Sequence, residues 1–300
     1  MLKFLMRISV LATITFGLLM LSLVALWIPK RTTYNIYKGV NLWIILFVFS
    51  VCFGIYAKFI NIVALISIIL FYTSCKIFGE LSHSQRIRSI SAVFILVLSI
   101  GAITHFIPGF SNPKIVSNLI LTEGAVPYSL YLNFDKPLVG LFILAFCHER
   151  ISSKNGWITM LKETSFRGLL VVLFVMITAL TINYVRFDLK FSSLFPVWIW
   201  INLLFTCTAE EAFFRGFLQK YAVSFFKKIR YGSLLGILLT SLLFGFAHYT
   251  GGINLIFLAT IAGLGYGWIY HSTKTIESSI LTHFFLNLIH FIFFTYPALA

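Results

Sequence analysis

Apolar runs of membrane-spanning length follow one another along this chain. Residues 8–28 are 21 without a charge, residues 191–209 are nineteen, and no Asp, Glu, Lys or Arg interrupts 231–273. In hydrocarbon the backbone must satisfy its own hydrogen bonds, so only helices and closed barrels cross a bilayer. These runs are long and unbroken rather than alternating, which selects helices over barrel strands. A 59% hydrophobic, 11% charged chain with mean hydropathy +0.96 is far from a soluble domain. The expectation is an all-α polytopic transmembrane helix bundle, an integral membrane protein with the lipid bilayer as its first partner.

Candidate spans are 8–28, 40–57, 59–75, 89–108, 137–148, 168–185, 194–214, 233–249, 253–271 and 278–296, for eight to ten crossings. The first is read as an anchor helix, because it is longer than a signal-peptide core and lacks a small-residue cleavage site. The 137–148 run is too short for an upright crossing and is expected to be tilted, re-entrant or extended at either end. The net charge of +14 is carried by short basic clusters between apolar runs. That distribution orients membrane helices and argues against a nucleic-acid partner. With ten spans, one set of loops carries fifteen Lys and Arg and the other seven, among them Lys3, Arg7 and Lys136. The richer set, which includes the loop after Lys220, is expected in the cytoplasm. Four cysteines lie within or beside apolar runs, with no metal-site spacing.

Within this background, Glu210 and Glu211 stand side by side inside an apolar run. An acid at the bilayer centre costs about 2.5–3.5 kcal/mol on insertion scales, so intramembrane acids mark functional sites. The bland alternative is an ion pair with Arg215, which shares a helix face with Glu211 at four-residue spacing. It accounts for one glutamate and not the other. Further along come Phe244-x-x-x-His248 and His283-x-x-x-Asn287. Each alone has a packing explanation, and His105, His271 and His290 are read that way. Together, two acids, two histidines and an amide on successive helices can meet in a bundle interior. A carboxylate beside an imidazole can hold and deprotonate water, while a second histidine and an amide N–H suit a developing oxyanion.

The ordered set EExxxR, FxxxH and HxxxN resembles the CPBP family, also called the Abi or CAAX-protease family, which includes the Rce1-type prenyl-protein endopeptidases. Here it reads Glu210-Glu211-Ala-Phe-Phe-Arg215, Phe244-Gly-Phe-Ala-His248 and His283-Phe-Phe-Leu-Asn287. The resemblance covers about 195–296. It divides the chain into 1–190, a transmembrane region without recognised motifs, and 191–300, a catalytic core. It implies an intramembrane endopeptidase acting on a peptide or membrane-protein substrate. Glu210 and His248 would activate water, His283 and Asn287 would form the oxyanion hole, and Glu211 would support the site with Arg215. Phe244 is structural support. No cofactor is expected. Zinc held by Glu210, His248 and His283 is the chemical alternative. The expected location is the bacterial cytoplasmic membrane, with a water-filled site open to the cytoplasm. Two other functions compete with it: a non-catalytic binding or immunity protein of the same fold, and a transporter. Transport predicts corresponding features in two halves, whereas these polar residues gather in one third of the chain.

Overall fold

The computed structural model describes residues 9–28, 41–81 and 84–300. The expected start of the anchor helix at Ile8, with Lys3, Arg7 and the basic residues Lys30, Arg31 and Lys38, lies outside these. The described chain is helical apart from one two-stranded sheet. Its helices are α1 (Val10–Ala25), α2 (Leu42–Tyr56), α3 (Ile62–Lys76), α4 (Gln85–Ile103), α5 (Asp135–Phe146), α6 (Lys154–Thr181), α7 (Phe195–Lys228), α8 (Gly232–Phe246), α9 (Gly252–Thr273) and α10 (Ile276–Phe293). Strands β1 (Lys114–Leu119) and β2 (Tyr128–Tyr131) sit in the long polar connection before α5. Six helical stretches are long and apolar enough to cross a membrane: α3 with its extension to Leu81, α4, α6, α7, α9 and α10. Helices α1, α2 and α8 are shorter and apolar. The protein is an integral membrane protein.

Local chemistry explains the boundaries. The Ser9 side chain accepts from Ala12 N at 3.1 Å, Asn61 accepts from Val63 N and Ala64 N, and Ser153 accepts from Gly156 N. Each satisfies donors that the first helical turn leaves without partners. The lone charge between the second and third runs is the reversal itself: Lys58 adopts φ 61°, so α2 and α3 are separate helices. Gly109 takes φ 96°, and a side chain there would collide with the Asn61 cap.

Two expectations change in detail. The 168–185 run is the latter part of α6, whose first turns carry Lys154, Lys162, Glu163 and Arg167. The expected 194–214 span likewise extends further, helical as far as Lys228, and is the start of α7.

The chain forms two compact units. The first contains the residues up to Val116, Ser129–Ser152 and Leu204–Phe213; the second contains Ser117–Tyr128, Ser153–Leu203 and Phe214–Ala300. In the first, α1 packs on α2, α3 on α4, and α5 on α3, α4 and the turn 208–211. Helix α5 is only 12 residues, about 18 Å, against about 30 Å of hydrocarbon. Nine of its residues are buried, so it is a core helix enclosed by protein. In the second unit, α9 packs on α8, α6 and α10, and α6 also packs on α10. The end of α10 is tied to the segment before α7 by Asp188 N to Phe293 O (2.8 Å) and Lys190 N to Ile292 O (2.9 Å).

Helix α7 runs through both units. Its most apolar window is 72% buried, against 22–50% for the other five long stretches. It is also irregular. Residues Ile201–Cys207 and Ala212–Gln219 are π-helical, and only Thr208–Glu211 between them keeps α-helical spacing. Such widened turns occur often at functional sites.

Candidate active site

Glu210 and Glu211 occupy that single α-helical turn, 6% and 0% exposed. The first unit supplies a cation for the former: Lys136 Nζ lies 2.7 Å from Glu210 Oε1. The sequence places Lys136 in a loop. The structure places it in the first turn of α5, with its side chain half-buried on the glutamate turn. The approach depends on Gly140, one helical turn further along the same face. A Cβ at Gly140 would stand 3.1–3.3 Å from Thr208 Cγ2, Ala209 N and Ala209 Cα. The start of α5 is fixed by a second polar group. Buried Asp135 meets His105 Nδ1 at 2.8 Å and accepts from Asn112 Nδ2 at 3.1 Å, while Asn112 Oδ1 accepts from Phe134 N. His105, read from the sequence as packing, is exposed and bonded to a carboxylate.

The second unit gathers the other motif residues around two aromatic rings. His283 stacks on Tyr266, centroids 4.7 Å apart and 17° between planes. Phe244 touches both histidines, at 4.8 Å from His248 and 5.8 Å from His283. The FxxxH spacing therefore does two things. It sets Phe244 under the His248 ring, and it lets His248 Nδ1 reach the Phe244 carbonyl at 2.8 Å. A carbonyl only accepts, so in neutral His248 Nδ1 carries the proton and Nε2 is left as an acceptor. The chain turns immediately afterwards, through a short 3-10 segment at Tyr249–Gly251 and Gly252 at φ 83°.

Arg215 is wholly buried, and its guanidinium lies 4.5 Å from the Phe244 centroid and 5.3 Å from that of Tyr266. It donates to Gly263 O at 3.0 Å. One turn on, Gln219 Nε2 donates to Gly267 O at 2.8 Å. Two polar side chains four residues apart on α7 thus meet two glycines four residues apart on α9. Side chains at Gly263 or Gly267 would press on Arg215 Nη2 (3.3 Å) or Gln219 Oε1 (2.6 Å). Small residues at this spacing let membrane helices approach closely. Asn287 Nδ2 donates to Asn202 Oδ1 at 3.2 Å, which orients the amide at the end of HxxxN.

Every residue singled out in the motifs is buried or half-buried. The first unit holds Glu210 and Glu211; the second holds Arg215, Phe244, His248, His283 and Asn287. Within either unit, no three His, Cys, Asp or Glu side chains are grouped as a metal-ligand set among the described residues. Sequence reasoning missed Lys136, Tyr266 and Asn202. Lys136 had a signal, because a charge opening a run too short to span has to be explained. Gly263-x-x-x-Gly267 marked a close helix contact, and Tyr266 lies inside it.

Residues 192–289 match the family model described as type II CAAX prenyl endopeptidase Rce1-like. This part of the chain is similar to that family. The match covers about a third of the chain and contains all three motifs. No curated protein and no solved structure matches the chain. The Rce1-like family is one of membrane proteases, and it is the family that the motifs resemble. The Rce1-like segment begins just before α7 and ends within α10, so Lys136 lies outside it.

Proposed function

We propose that this protein is an intramembrane endopeptidase that hydrolyses a peptide bond with activated water and no covalent intermediate. The observation that carries the reading is the buried Glu210-Glu211 turn of α7, held within an Rce1-like segment. Glu210 takes the proton of the attacking water. His248, with Nε2 as acceptor, orients that water. His283, stacked on Tyr266, and Asn287, oriented by Asn202, donate to the oxyanion as the carbonyl becomes tetrahedral. Collapse of that intermediate returns the proton to the leaving amine and breaks the C–N bond. Glu211 and Arg215 support the site. The substrate is a peptide or membrane-protein segment, which enters from the cytoplasmic side of a bacterial inner membrane.

Substituting Glu210→Gln keeps the side-chain shape and removes the base. The expected result is loss of cleavage in a protein that still folds. It is read by comparing new protein termini in membranes from cells making either form, with circular dichroism to check folding. An identical set of termini in both would sink the assignment. The same material addresses metal. Activity is expected to persist after chelation by EDTA or phenanthroline. A loss restored by zinc would instead assign Glu210, His248 and His283 as ligands.

A further inference from the structure

We propose that Lys136, from the motif-free part of the chain, is the residue that positions Glu210 within the bilayer. The inference rests on the reading of Glu210 as the catalytic base and extends it. Three observations converge. Lys136 Nζ lies 2.7 Å from Glu210 Oε1, with the two side chains only 14% and 8% exposed. Two charges that far from water are retained where each answers the other. Gly140, on the same face of α5, opens the space that lets the helix reach Thr208 and Ala209. The residue before Lys136 is locked: Asp135 is 1% exposed, its carboxylate is engaged by His105 and Asn112, and its Oδ1 also accepts from Lys136 N at 2.9 Å. The lysine therefore projects from an anchored helix start rather than from a loose loop.

A charge-assisted bond to Oε1 fixes the rotation of the Glu210 carboxylate about its own axis. A general base must sit within hydrogen-bond reach of the proton it takes, so this rotation decides whether the other oxygen addresses the water. It also explains why α5 is short. A helix that must deliver an ammonium group to membrane depth cannot begin at the membrane surface. Lys136 does not meet the reacting atoms in this scheme. It acts through Glu210 and is a positioning residue.

The test uses purified full-length protein in detergent and a synthetic peptide ending in a farnesylated Cys-a-a-X box. Lys136→Met is expected to lower kcat by about a hundredfold, the effect of roughly 1 Å of misplacement, with KM nearly unchanged. Lys136→Arg is expected to recover most of that loss, because it restores the cation. Thermal melting of Lys136→Met and Glu210→Gln, singly and together, reads the pair independently of turnover. Lys136→Met should lower Tm in the wild-type background and much less beside Glu210→Gln. A cleaving Lys136→Met enzyme with undiminished kcat overturns the inference. So does a Tm loss that is the same in both backgrounds. If the wild-type protein leaves this peptide intact, the prenylated substrate is removed while the protease reading stands or falls by the comparison of protein termini, and the melting cycle still decides whether Lys136 holds Glu210.

Discussion

Arg215 illustrates how one residue can serve a site without touching substrate. Its charge is removed from water and answered by the faces of Phe214, Phe244 and Tyr266 and by the Gly263 carbonyl. A planar guanidinium can lie across rings and donate in its own plane together, which an ammonium cannot. Arg215→Lys is therefore expected to destabilise the protein by about 2 kcal/mol, the scale of a desolvated cation–π contact. Chemical denaturation in detergent measures it, and a change near zero would show that charge alone matters at this position. Tyr266 is shared between this cation and His283, so damage at Arg215 is expected to reach the imidazole through one ring.

At the scale of elements, glycines set how closely the helices meet. Gly140 lets α5 lie on the glutamate turn, where the nearest atoms to a Cβ include backbone Ala209 N and Cα. Backbone cannot move aside as a side-chain tip can. Gly140→Val is expected to cost about 1–3 kcal/mol by overpacking and to push Lys136 off Glu210. Its effects on Tm and activity should fall together, and an unaltered melting curve would contradict the packing described. Gly245 does the same between α8 and α9, where a Cβ would come within 2.8 Å of Ile256 O. The helix that leads into His248 is thereby held against the helix that carries Tyr266. The long stretches were legible in the sequence because each one is a long, predominantly apolar run. The role of α5 was not, because hydropathy reads length and composition but not which neighbour encloses a short helix.

At the scale of the molecule, α7 is long and apolar enough to cross a bilayer, and both units contain residues of it. Its 34 residues exceed the about 20 that a spanning helix needs. The basic cluster Lys227, Lys228 and Arg230 closes it, and Arg186 and Lys190 precede it. By the positive-inside rule, the 227–230 end is expected in the cytoplasm. Reporter fusions ending after Lys190 and after Arg230 should therefore report opposite faces, the second cytoplasmic. Both on one face would remove the crossing. Lys136, counted from sequence among the external loop charges, drops out of that tally because it is spent on Glu210.

The sequence alone determined that this chain is a helical membrane protein, and that its polar intramembrane residues fall in the order EExxxR, FxxxH, HxxxN. Both follow from one-dimensional facts: apolar length against bilayer thickness, and residue type against spacing. Only the tertiary structure decided which groups answer the buried charges. Lys136 and Glu210 are 74 residues apart, Arg215 and Gly263 are 48 apart, and Asn202 and Asn287 are 85 apart. No local pattern encodes such pairings. They arise because a charge or amide excluded from water must find its partner wherever the packed helices bring one within about 3 Å.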